Sequence, residues 1–184
     1  MTVAHGGRRS SWSTTITGRG TADQLSSVEP MRVAFVKLSD QRHVVRVERN
    51  DGTNESVELD SRSFLRHDLA HFAVELELDL TAGVWGSVAG GGSLSGSGLD
   101  GADMELAETI SGPMQTMMRT GADAGEIRAV LARVVPEMGS LELAQRLHAR
   151  LRSLVGLWAA TPYQGEMALE WPEPPDTADS TLRV

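Results

Sequence analysis

Alternating apolar and polar positions predict three β-strands in the first half of the chain. β-Branched residues are frequent in these segments, and the third alternates cleanly, with Val57 and Leu59 on one side and polar residues on the other. Turn sequences at residues 39–41 and 50–54 favour an antiparallel meander with one face toward a core. Residues 165–171 also alternate and predict a fourth strand that returns to the edge of the meander. The predicted strands cover residues 31–38, 42–49, 55–60 and 165–171.

Apolar residues that recur at every third or fourth position predict four helices. In the first helix, Leu65, Leu69 and Phe72 belong to the main apolar stripe, which we expect to cover the core face of the meander. Ser61 or Ser63 is the expected N-cap of this helix. The predicted helices cover residues 63–79, 102–120, 123–135 and 141–160.

Local signals mark the ends of the later helices and predict one break. Asp123 and Glu126 fit a capping box, and Ser140 fits the N-cap of the last helix. Gly112 and Pro113 are expected to kink or split the helix over residues 102–120, because proline cannot donate the backbone hydrogen bond that a helix interior requires.

These elements predict an α+β fold: a small antiparallel β-meander of three to four strands, packed on one side by about four helices. We expect a single domain over residues 29–172, a disordered leader over residues 1–28 and a disordered tail over residues 173–184. Residues 81–101 are glycine-rich and predict a loop, either a mobile lid or a disordered linker. Its apolar residues, Val84, Trp85, Val88 and Leu94, indicate that the first half of the loop packs against the domain.

Composition and charge exclude several classes of function. The chain has no cysteine, which excludes disulfides, thiolate metal sites and a cysteine nucleophile. Its net charge of −8 argues against a nucleic-acid partner, which would need a basic surface. No apolar run approaches the about 18 residues of a membrane span, so we expect no membrane partner and a cytoplasmic location.

The first predicted helix also carries the strongest candidate chemistry. His67, His71 and Glu75 recur at intervals of four and share one face of this helix. Two histidines at this spacing can reach one divalent ion, and Zn²⁺ suits imidazole and carboxylate ligands. The pattern predicts His67 and His71 as metal ligands and Glu75 as the third ligand or a general base. His43 and His148 are the other candidates for the third ligand.

Residues 67–71, with the sequence HDLAH, resemble the HExxH motif of zinc-dependent hydrolases over five residues. The resemblance implies that His67 and His71 hold a zinc ion and that Asp68 acts as the general base. Aspartate stands at Asp68 where those enzymes have glutamate, and its side chain is one methylene shorter. Asp68 and Glu75 are therefore the predicted catalytic carboxylates of a metal-dependent hydrolase.

A non-catalytic interpretation competes with the metal site. His67 and His71 can each be a structural side chain that is hydrogen-bonded to Asp68 or Glu75, because a histidine–carboxylate pair is ordinary chemistry on a helix. The protein would then be an interaction or regulatory protein. Its methionine-bearing helices, or its two charge-separated halves, would bind a protein partner or a second copy of the chain.

Overall fold

A four-stranded antiparallel sheet forms one layer of the computed structural model, which describes residues 30–96 and 101–172. The strand order is β3-β2-β1-β4, so the last strand pairs with the first and forms the edge of the sheet beside it. The register places Phe35 opposite Val45 and Met167, and these side chains enter the core. The strands are β1 (Met31–Lys37), β2 (Arg42–Glu48), β3 (Asn54–Asp60) and β4 (Glu166–Trp171).

Five α-helices in the described residues complete the α+β fold that the sequence predicts. A π-helical turn, Ser61–Leu65, precedes the first of them, and a short 3₁₀ turn, Pro136–Met138, precedes the last. The helices are α1 (Arg66–Glu77), α2 (Val84–Ala89), α3 (Ala102–Thr120), α4 (Ala124–Val134) and α5 (Leu141–Ala160).

The core lies between the sheet and α1. Leu69 and Phe72 of the predicted stripe are buried, and the Phe72 ring meets Trp85 and Trp171 edge-on at 5.7 and 5.4 Å between ring centroids. Burial of this helix face removes apolar surface from water, the main force that holds a helix onto a sheet. Because the leucine and phenylalanine side of α1 faces the sheet, the histidines occupy another side of the same helix.

The helix ends confirm some local predictions and correct others. The capping box of Asp123 and Glu126 and the N-cap of Ser140 are present. The predicted caps of the first helix are wrong: the Asp60 carboxylate accepts the Ser63 N–H at 2.9 Å, and this bond holds the pKa of Asp60 below its usual value. α3 continues through Pro113 without a break, so the helix is not split there.

The glycine-rich segment folds against the domain over its first half. α2 lies within it, so the expectation of a loop is wrong for residues 84–89. Trp85 and Val88 are almost completely buried, which confirms that the first half packs. Residues 97–100, the predicted leader and the predicted tail lie outside the described residues.

Arg49, just after β2, holds α2 and the segment that follows it against the sheet. Its guanidinium donates to the carbonyl oxygens of Val88 at 2.6 Å and Gly92 at 2.7 Å, and to Glu55 at 3.2 Å. The other oxygen of Glu55 accepts the N–H of Leu94 at 3.0 Å. Within the described residues, no helix has the length and hydropathy that crossing a membrane requires.

Candidate metal centre

α1 and α3 pack against each other and bring three ligand-type side chains together. His67 and His71 come from α1, and Glu108 comes from α3. One ligand atom from each residue lies within 4.8 Å of the other two. The Glu108 carboxylate is 3.6 Å from His71 Nε2 and 4.0 Å from His67 Nε2. The predicted spacing of the two histidines therefore places them in one cluster, and a residue from a distant helix supplies its carboxylate.

His71 is the buried member of the cluster and has one ring nitrogen without a hydrogen bond. Its Nδ1 lies 3.1 Å from Oε1 of Glu75, and both residues are completely buried. Its Nε2 has no hydrogen-bond partner among the described residues and faces Glu108 at 3.6 Å. A buried polar atom without a partner loses its hydrogen bonds to water and gains none in the protein, so such atoms are rare in folded proteins.

Glu75 lies on the opposite side of the His71 ring from Glu108. Its Oε1 also accepts the N–H of Val84 at 2.9 Å, and its Oε2 accepts the N–H of Trp85 at 2.9 Å. A carboxylate that receives backbone N–H groups on both oxygens acts as an acceptor, so the hydrogen-bond network assigns the Nδ1 proton to His71. In the neutral ring with this tautomer, Nε2 carries the lone pair that can bind a metal ion.

Glu75, the predicted third ligand or general base, lies outside the group of ligand atoms formed by His67, His71 and Glu108. Both of its oxygens are engaged by backbone N–H groups, and the carboxylate of the cluster is Glu108. Glu75 instead supplies the cap of α2, whose first residues follow Gly83 and have no local side-chain cap. A β-carbon at Gly83 would come within 2.3 Å of Glu75 Cδ, so the carboxylate fits only because this residue is glycine.

His67 is half-buried beside Asp68. The two imidazole rings of the cluster are 4.5 Å apart, and Nδ1 of His67 is 3.4 Å from Oδ1 of Asp68. The hydrogen bond to Asp68 raises the pKa of His67, and the charges of Asp68 and Glu108 add to this effect against the opposing effect of burial. The carbonyl oxygen of Asp68 accepts the indole N–H of Trp85 at 3.2 Å. Asp68, the predicted general base, therefore contacts the cluster through His67.

His43 and His148 lie apart from this group. His43 is completely buried, as expected for the core side of its strand, and its Nδ1 is 3.0 Å from Ser61 Oγ. Burial lowers the pKa of His43, and the charges of Asp68 and Asp60 oppose that effect. His148 lines a separate cavity of about 450 Å³ between α3, α4 and α5. Neither histidine belongs to the ligand group found among the described residues.

Glu108 does not stand out in the sequence, because acidic residues are frequent near the start of α3 and are typical of a solvated helix face. Its spacing from two buried residues is the one sequence feature that distinguishes it. Glu108 is four residues after Met104 and three before Ser111, and both of these residues are buried. It therefore lies at the margin of the buried stripe of α3, where a side chain can reach a neighbouring helix.

Two imidazoles and one carboxylate form a donor set that suits Zn²⁺. Ligand atoms about 2.1 Å from one ion are at most about 4.2 Å apart, and about 3.4 Å apart in a tetrahedral site. The distances from Glu108, 3.6 Å from Oε1 to His71 and 4.0 Å from Oε2 to His67, are within that limit. The ligand atoms of the whole group spread over up to 4.8 Å, so the side chains would have to move closer together around an ion. Comparison with known proteins gives no match to a family model, a curated protein or a solved structure.

Proposed function

We propose that the protein binds one divalent metal ion, with Zn²⁺ as the best fit, through His67, His71 and Glu108. The observation that carries the proposal is the buried Nε2 of His71, which has no hydrogen-bond partner among the described residues and lies 3.6 Å from the Glu108 carboxylate. A metal ion between these groups would satisfy this nitrogen and neutralise charge in a partly buried place.

The contact between Glu75 and His71 supports the proposal. Metal-binding histidines commonly donate their second ring N–H to a carboxylate, which fixes the ring and makes the ligand nitrogen more basic. The contact between His71 Nδ1 and Glu75 Oε1, at 3.1 Å, has this arrangement. Glu75 is a positioning residue in this proposal, because it acts on the metal through His71.

The exposure of the cluster favours a reactive site over a closed structural one. The side chain of Glu108 is 55% exposed, whereas His71 is completely buried. Three protein ligands leave a position for water, as in catalytic zinc sites, where the metal lowers the pKa of that water to about 7. We therefore propose metal-dependent hydrolysis as the activity. Asp68 lies 3.4 Å from Nδ1 of His67, as Glu75 lies beside Nδ1 of His71, so Asp68 would orient a ligand, and its role as general base stays a prediction.

The test is calorimetric titration of Zn²⁺ into protein that has been treated with EDTA and dialysed. We expect one site per chain and an affinity at least about tenfold lower in His71→Ala and in Glu108→Gln. Glu105→Gln is the matched control, because Glu105 is an exposed acid on the same helix and lies outside the cluster. Circular dichroism melting shows whether each variant is folded.

An unchanged affinity in both folded cluster variants would overturn the metal site. The histidines would then be structural, as in the competing interpretation. If metal binds and no hydrolysis follows with a panel of esters, amides and phosphate esters, the site is a metal site without the proposed activity.

A second candidate function has one observation in its favour. The cavity between α3, α4 and α5 is lined mainly by apolar side chains, among them Met117, Met118 and Leu151. Val155 at its edge is 41% exposed. Adaptable methionine side chains suit a surface that binds another protein or a second copy of the chain. Light scattering at several concentrations tests the second copy, and a constant monomer mass would exclude it.

A further inference from the structure

A second, differently charged site is a cavity lined by the turn before α1, the first residue of α1 and the second half of α3. We call this cavity of about 230 Å³ the arginine pocket. At about 30 Å³ for each water molecule, it has room for several waters or one small anionic group. Three guanidinium groups and three neutral polar side chains line it: Arg62, Arg66, Arg119, Ser63, Gln115 and Thr116.

The helix positions place the arginine pocket next to the metal cluster. Ser63 precedes His67 by four residues, and His67 precedes His71 by four, so pocket and cluster follow each other along one side of the α1 segment. On α3, Thr116 follows Glu108 by eight residues, or about two turns. Ser63 lies near Thr116, and His71, later in α1, lies near Glu108, earlier in α3. The two helices therefore run antiparallel.

The three arginines of the pocket are exposed, and they have no salt-bridge partner among residues 30–96 and 101–172. None of the three guanidinium groups forms a salt bridge or a side-chain hydrogen bond with a described residue. Two acids lie near them: the pKa of Asp60 is lowered mainly by the Ser63 N–H and in small part by the charge of Arg62, and Asp40 lines a neighbouring cavity with Arg62 and Arg66. The pocket therefore gathers three positive charges on one surface of an acidic chain.

We propose that the arginine pocket binds the phosphate group of a small molecule. Guanidinium groups match phosphate oxygens with two parallel N–H donors, and a phosphate monoester offers three acceptor oxygens and nearly two negative charges. The side chains of Ser63, Gln115 and Thr116 add neutral hydrogen-bond donors. A monoanionic carboxylate would use fewer of these donors and would leave more of the positive charge uncompensated.

The position of the pocket also assigns a substrate class to the neighbouring metal site. Arg66 is the chain neighbour of His67, and Arg119 lies on the same helix as Glu108, so a phosphate-bearing molecule held by these arginines would lie along the same two helices as the cluster. This second step rests on the proposed metal function. Phosphate binding by the pocket does not, because no cluster residue lines the pocket.

The experiment is calorimetric titration of inorganic phosphate and of phenyl phosphate into metal-free protein in EDTA, at constant ionic strength. We expect saturable binding at one site, weakened at least about tenfold in the double variant Arg66→Gln, Arg119→Gln. The double variant Arg66→Lys, Arg119→Lys keeps the charge without the paired donors and should bind with intermediate affinity. Arg133→Gln is the matched control, since Arg133 is an exposed arginine on α4, away from the pocket.

Absence of saturable binding in the wild-type protein, or equal binding in the wild type and the glutamine double variant, would overturn the proposal. An equal loss in Arg133→Gln would also overturn it, because the effect would then be general charge attraction. Tighter binding of phenyl phosphate than of phosphate identifies an ester as the ligand, and equal binding identifies free phosphate. His71→Ala separates the two sites: phosphate binding should persist in this variant while zinc binding is lost.

Discussion

Glu75→Gln tests the most connected buried side chain of the site. Glutamine has nearly the shape of glutamate, so the change removes a charge and one acceptor without opening a cavity. In the protein, Glu75 accepts the N–H groups of Val84 and Trp85 at 2.9 Å each and contacts His71 Nδ1 at 3.1 Å. If the glutamine oxygen keeps the contacts of Oε1, its NH₂ group faces the N–H of Trp85, and two donors oppose each other.

The magnitude follows from these three contacts. Loss of a hydrogen bond to a charged group costs about 1.5–3 kcal/mol, and the two remaining contacts weaken from charge-assisted to neutral at about 0.5–1 kcal/mol each. We therefore expect the free energy of unfolding to fall by about 2.5–5 kcal/mol. With a urea m-value of about 2 kcal/mol/M, the midpoint would shift down by about 1.2–2.5 M.

Urea denaturation followed by tryptophan fluorescence measures this loss, because Trp85 lies on the capped helix itself. Glu105→Gln is the control for the same chemical change at an exposed position and should shift the midpoint little. Zinc affinity should fall about tenfold in Glu75→Gln, as for other residues that orient a ligand histidine.

A loss below about 1 kcal/mol would refute this reasoning. It would mean that the cost of burying the Glu75 charge offsets the hydrogen bonds it receives, as happens for some buried ion pairs. An unchanged zinc affinity in a folded Glu75→Gln protein would separately remove the positioning role of Glu75 and leave its capping role intact.

Three further predictions concern the surroundings of the site. Gly83→Ala should lower the free energy of unfolding by about 1–3 kcal/mol, because the new β-carbon would come within 2.3 Å of Glu75 Cδ. Gly156→Ala is the control: a β-carbon there meets nothing within 4 Å, so this change should stabilise α5 in the same urea assay. Arg49→Lys should cost about 1–3 kcal/mol in that assay, since lysine cannot donate to both backbone carbonyls and a carboxylate at once, and a neutral result would contradict the anchoring role. Burial lowers the pKa of His43, so the folded state favours its neutral form, and this contribution is present above about pH 6.5 and is lost as the pH falls through the folded pKa. Relative to His43→Gln, the wild type should therefore lose at most about 1.4 kcal/mol of stability per pH unit as the pH falls from about 6.5 to the folded pKa. Parallel stability curves for the two proteins would contradict this prediction.

The strands and most helices could be predicted because their signals are local. The alternation around Val45 and Val47 reports which side of a strand is buried, and the capping box at Asp123 satisfies N–H groups within the same helix. Such patterns depend only on the geometry of a few neighbouring residues, so they are visible before any tertiary contact is known.

α2 could not be predicted, because its stability is not local. Glycine disfavours helix, and Gly83 provides no side-chain cap. The cap comes from Glu75 on another helix, and the burial of Trp85 and Val88 supplies the rest. Only the packed domain brings these groups together, and the same packing gives Glu75 a role that its spacing from His71 did not indicate.

The spacing of His67 and His71 alone puts them on one helix face, because four residues make about one turn of an α-helix. The residues that lie opposite these two histidines depend on the tertiary structure. Antiparallel packing of α1 on α3 brings Glu108 within 3.6 Å of His71 and gathers three arginines in a separate pocket along the same segments. Contacts between residues so distant in the chain are set by how two helices pack, and no local pattern records that packing.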